Sequence, residues 1–132
     1  MIKESVKDAL EDVRAAFPDW DAGTVPDGQG GLWVELTGVT LGSPYIQSDT
    51  FLVFLLAFTL PASDVYPMFV RSDLTRVDSA PLGDGFQSTQ LSWPGEPAPR
   101  EVIQISRRTR GSFAAQTASQ KVAKVLDWVR TR

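Results

Sequence analysis

Apolar residues return at Ile2, Val6, Leu10, Val13 and Phe17, with spacings of four, four, three and four that put them on one helical face. Pro18 stops that helix. Residues 19–31 carry Asp, Gly and Pro without a hydrophobic period and read as a loop leading into a strand. From Leu32 the period falls to two: Leu32, Val34 and Leu36 share a face, and after Gly38 the parity shifts to Val39 and Leu41, which predicts a bulge or bend at the glycine. Residues 51–60 are apolar at every position but Thr59 and include three phenylalanines, so they predict the central strand, covered on both faces and flanked by strands around Val34 and Val70. Residues 61–64 form a turn, and residues 66–70 start another short strand, with Pro67 marking an edge or a strand start.

Residues 80–100 hold Pro81, Gly83, Gly85, Pro94, Gly95, Pro97 and Pro99, a density that no regular helix tolerates. Residues 102–105 predict a short strand. Arg107, Arg108 and Arg110 then lead through Gly111 and Ser112 to a last helix with the stripe Ala118, Val122, Val125, Leu126 and Val129. Lys121, Lys124, Arg130 and Arg132 complement the negative end of its dipole. This order predicts an α+β fold: an N-terminal helix, an antiparallel curved sheet of about four strands, an irregular excursion and a C-terminal helix, with both helices covering the sheet. The chain has 132 residues and 42% hydrophobic content, so one domain over residues 1–132 is expected.

Composition narrows the chemistry. The chain has no cysteine and no histidine, which removes thiolates, disulfides, the usual neutral-pH base and the commonest metal ligand. No metal site and no cofactor is expected. Glu4, Asp8, Glu11 and Asp12 make the N-terminus unlike a signal peptide. The longest apolar run is far below the roughly 20 residues of a membrane-spanning helix. These features predict a soluble, cytoplasmic protein with no membrane partner. The net charge of −3 conceals an asymmetry: residues 1–66 hold ten acids and three bases, and residues 67–132 hold six acids and ten bases. A charge-complementary docking face and a merely solubilising surface fit this equally well. One short basic cluster on an acidic chain does not supply the broad positive footprint of a nucleic-acid binder.

Motifs add little chemistry. Asp19, Asp21, Asp27 and Gly28 have the wrong offsets for a calcium loop and read as a solvated loop. The glycines at 28, 30 and 31 precede a strand rather than a helix, which is not the setting of a phosphate-cradling loop. Neither a Ser-x-x-Lys pair nor a Gly-x-Ser-x-Gly elbow occurs. No catalytic residue is therefore assigned. Pro94 and Pro97 have Pro-x-x-Pro spacing, read as a stiff internal loop rather than a polyproline ligand. Trp128 lies beside the last helix's apolar stripe and is expected in the core. Phe86 and Trp93, in the irregular excursion, are the expected aromatic anchors of a partner surface. Arg107, Arg108 and Arg110 are expected to complete it, since guanidinium forks pair with carboxylates or phosphates. The competing reading of the arginines is a solvated strand end. The alternative partner surface is the acidic stretch around Asp19 and Asp27.

An N-terminal helix, a strand around Trp33, the long strand at 51–60, Phe58 and Pro61, and Tyr66 with Pro67 together resemble the ubiquitin-conjugating enzyme (UBC-like) superfamily, in which such an element closes the central strand. Ile105 to Thr109, and the run from Lys121 to Trp128, are similar to a bacterial group of that superfamily called prokaryotic family E. The resemblance implies a UBC-like fold. Conjugating members carry a His-Pro-Asn element and a thioester-forming cysteine, and this chain has neither. It therefore implies an inactive member, a pseudoenzyme, that binds a ubiquitin-like protein, an activating enzyme or a substrate in a bacterial conjugation-type system. The alternatives are a small enzyme using carboxylates or arginines, and a generic chaperone or immunity-type binding partner. The oligomeric state is left open.

Overall fold

The computed structural model describes residues 1–93, 96–111 and 116–132. Pro94 and Gly95 of the proline-rich stretch, and Ser112 ahead of the last helix, lie outside the described residues. The order of elements is α1 (Glu4–Ala16), β1 (Asp21–Pro26), β2 (Leu32–Thr40), β3 (Asp49–Leu56), β4 (Met68–Arg71), β5 (Phe86–Leu91), β6 (Arg100–Ile105) and α2 (Ala118–Arg130). The strands form an open antiparallel sheet in the order β1-β2-β3-β4-β6-β5.

The alternation read from the sequence sorts side chains to the two faces. Leu32, Val34 and Leu36 of β2 and Leu52, Phe54 and Leu56 of β3 meet Val6, Leu10 and Val13 of α1 and Val122, Val125, Leu126 and Val129 of α2 in the main core. Val53 is fully buried on the opposite face with Phe69, Leu91 and Val102, so β3 is covered on both sides as expected. The bulge falls where predicted: the β2 to β3 register shifts between Leu36 and Val39, and Gly38 has φ of +78°. A capping box between Thr117 and Gln120 starts α2, and the Ser119 amide donates to Asp12 Oδ2 at 2.8 Å, joining the two helices. The Tyr45 hydroxyl donates to the Val129 carbonyl at 2.6 Å, tying down the end of α2.

Among the described residues the sheet has six strands, not about four. The missing two, β1 and β5, are its edges. β1 lies in the stretch read as loop, and β5 lies in the excursion read as irregular. Both have mostly exposed residues, because an edge strand is held by main-chain bonds to one neighbour and needs no buried face. A hydrophobic period is therefore absent from both. The central strand also ends at Leu56 rather than residue 60, since the chain turns there with the Leu60 amide donating to the Ala57 carbonyl, and Phe58 is exposed. Among the described residues no helix is long and apolar enough to cross a membrane.

Candidate functional site

Beyond β6 the chain passes through Arg107, Arg108, Thr109 and Arg110 alongside α2. Among the described residues, what holds this segment is a partly buried ion pair. The Lys121 ammonium, on the buried side of α2, donates to Asp64 Oδ2 (3.2 Å), the Arg107 carbonyl (2.7 Å) and Thr109 Oγ1 (2.9 Å). Asp64, in the turn after β3, accepts the Thr109 amide and hydroxyl, both at 2.8 Å. Burial raises the Asp64 pKa, but the bonds from Thr109 and Lys121 outweigh it and hold the carboxyl below its usual range. Burial pushes the Lys121 ammonium down, with Arg107 and Lys124 adding to the depression, more than Asp64 restores.

This clamp fixes the arginine segment against an aromatic platform. Trp128 is half-buried between α2 and the start of β5, stacked on Phe86 with ring centroids 5.0 Å apart. The Arg107 guanidinium lies 4.8 Å from its ring centroid and that of Arg132 4.5 Å. Arg108 covers Tyr66 at 4.2 Å. Gly85 lies beneath Trp128 with φ of +91°, and a Cβ there would meet Trp128 Cη2 at 2.7 Å. Arg107, Arg108, Arg110, Lys124 and Trp128 line a groove of about 250 Å³, and no carboxylate lines it. Such a groove takes carboxylates, or another planar anion, against guanidinium donors.

Of the predicted surface residues, Phe86, Arg107, Arg108 and Arg110 belong to this region, the three arginines exposed and Phe86 partly so. Trp93 does not. It is 9% exposed, packs on the other face of the sheet beside Trp33 (centroids 6.0 Å apart), and lies under the Arg100 guanidinium at 5.4 Å. The reason is that the face of β3, β4 and β6 turned away from the helices is itself apolar, so Trp93 is used to cover it. Trp128, expected in the core, packs against it but is only partly buried, and its other side lines the groove. Its position on α2 beside the stripe does not reveal that the arginines and Phe86 arrive from elsewhere. In the acidic stretch, residues 21–26 form β1, and Asp27 closes the turn after it, its Oδ1 accepting the amides of Gln29 (2.7 Å) and Gly31 (2.9 Å).

A second cavity, about 410 Å³, lies on the other side of Lys121 and is lined by Ser5, Asp8, Asp12, Leu60, Val65 and Ala118 among others. Ser5 Oγ is buried there without a hydrogen-bond partner. Three of its charged groups have partners: Asp64 and Lys121 bind each other, and Asp12 caps α2, while Asp8 is exposed at the rim. The three donor positions of the Lys121 ammonium are all used, which leaves it no role as a nucleophile in this arrangement. Among the described residues no three carboxylates converge to hold a cation.

No known protein family, curated protein or solved structure matches this chain.

Proposed function

We propose that this chain is a non-catalytic protein-binding module whose docking face is the arginine-rich groove around Trp128, and that its partner presents acidic side chains. One observation carries the reading: exposed arginines and a rigid aromatic pair are gathered into a groove without a single lining carboxylate. Aromatic and arginine side chains dominate binding hot spots, and the clamp removes in advance the entropy of ordering the segment. In the resemblance to the UBC-like superfamily, the partner is a ubiquitin-like protein, an activating enzyme or a substrate of a bacterial, cytoplasmic conjugation-type system. The N-terminal helix followed by an antiparallel meander supports that resemblance. The absence of cysteine supports a binding role within it rather than thioester transfer.

The test uses the partner that co-purifies with this chain from its native host. Arg108→Glu, exposed and remote from the core, is expected to lower the association rate and its sensitivity to salt. Unchanged binding at low salt would exclude this face. Separately, incubation with the system's activating enzyme, ubiquitin-like protein and ATP is expected to leave no adduct on this chain. A serine oxyester, resistant to thiol and cleaved by hydroxylamine, would overturn the non-catalytic assignment.

A further inference from the structure

Among the described residues, the groove runs into a sheet edge with no strand beside it. Among the described residues β5 pairs only with β6, and the Ser106 amide donating to the Gly85 carbonyl at 2.8 Å fixes the phase of that ladder. Gln87, Thr89 and Leu91 turn their amides toward β6. Ser88 and Gln90 turn theirs to the open edge, together with the carbonyls of Phe86, Ser88 and Gln90. The Phe86 amide is turned back toward the Gly83 carbonyl at 3.4 Å.

Proteins blunt exposed edges with charge, proline or bulges. The opposite edge, β1, has Asp21 at its start and Pro26, which lacks an amide proton, at its end. β5 has no such device. Its sequence, Phe-Gln-Ser-Thr-Gln-Leu, is uncharged and free of proline, it keeps register with β6 over its whole length, and residues 87–90 are exposed. It also begins at the basic platform, with Phe86 stacked on the Trp128 ring that Arg107 and Arg132 cover.

We propose that β5 accepts an extended segment of the acidic partner as a seventh, antiparallel strand. Every pair in the sheet is antiparallel, and antiparallel pairing puts the C-terminal end of the added strand beside Phe86. There its carboxylates meet Arg107 and Arg132. Main-chain bonds along β5 supply affinity, and the guanidiniums select acidic residues at that end. A second copy of β5 fits less well, because the strand holds no carboxylate to offer the arginines. The inference rests on the reading of the groove as the surface for an acidic partner.

The probe is a synthetic peptide of alternating Thr and Val ending in a run of Asp, measured by fluorescence anisotropy on the full chain. Binding is expected to weaken about tenfold when the peptide is N-methylated at alternate residues on its β5-facing edge, or when Ser88→Pro deletes an outward amide while sparing the bonds to β6. Arg107→Glu is expected to weaken it as well, and moving the Asp run to the peptide's N-terminus is expected to do the same. If Arg107→Glu weakens binding while N-methylation does not, strand addition is wrong and the acidic-partner reading stands. If none of the changes matters, both are wrong. The N-methyl comparison uses the unaltered protein, so it decides the matter even where Ser88→Pro fails to fold. A homodimer that Ser88→Pro abolishes in sedimentation would assign the edge to a second copy and overturn the proposed occupant.

Discussion

Lys121 Nζ lies 2.7 Å from the Arg107 carbonyl oxygen, while the guanidinium of the same arginine lies over Trp128. A buried cation thus holds by its backbone the residue whose side chain faces solvent. Stability and recognition are joined at one position, and that link can be tested from either end.

Lys121→Met keeps most of the packing and removes the charge, leaving the partly buried Asp64 without its cation. Breaking a fully buried pair costs about 3 kcal/mol, so a loss of up to about that size should register in chemical denaturation. Amide exchange at Thr109 should accelerate as well. Wild-type protection at Thr109 in the variant would show that Lys121 does not set the segment.

The Asp64 carboxyl has a folded pKa below its ordinary value. Its contribution to stability is complete above the unfolded-state value, about 3.9, and is lost as pH falls through the folded value. Denaturant midpoints measured across pH 5 to about 2 should fall for the wild type, and Asp64→Asn should flatten that fall. Parallel curves would place the acid sensitivity elsewhere.

Gly85→Ala adds a Cβ both at positive φ and 2.7 Å from Trp128 Cη2. The expected loss is about 2 kcal/mol, with Trp128 displaced from Phe86. A red shift in the tryptophan emission that is absent in a Gly83→Ala control would report the displacement, since Gly83 has open space around it.

Trp93→Ala is expected to act on stability, by about 3 kcal/mol, because the ring covers Val53, Phe69 and Val102. Association with the partner should be unchanged under conditions where the variant is folded. A loss of partner binding without a loss of stability would return Trp93 to the interface.

Phe54 is fully buried at the middle of β3. Phe54→Ala should lower stability by about 3–5 kcal/mol, seen as a lower denaturant midpoint. A midpoint near that of the wild type would remove Phe54 from the core.

What the sequence determined by itself is the part of the fold that buries side chains periodically. The stripe from Val6 to Val13, the run around Phe54, the parity shift at Gly38 and the stripe from Val122 to Val129 each leave a pattern, because burial repeats with the geometry of the helix or strand. The edge strands β1 and β5 leave none, since they are held by main-chain bonds that every residue but proline can make. The arginine cluster was legible as charge, and Phe86 as an aromatic outside the periodic core. Only the tertiary structure decided which aromatic the arginines meet. Trp93 and Trp128 are alike in composition and differ in which side of the sheet their segments reach: one covers the apolar outer face, and the other is left half-exposed between α2 and β5. The clamp was beyond sequence reasoning for the same reason. Asp64, Thr109 and Lys121 are far apart along the chain, and what joins them is the desolvation of a lysine on the buried side of α2, which requires a partner that only the packed fold can supply.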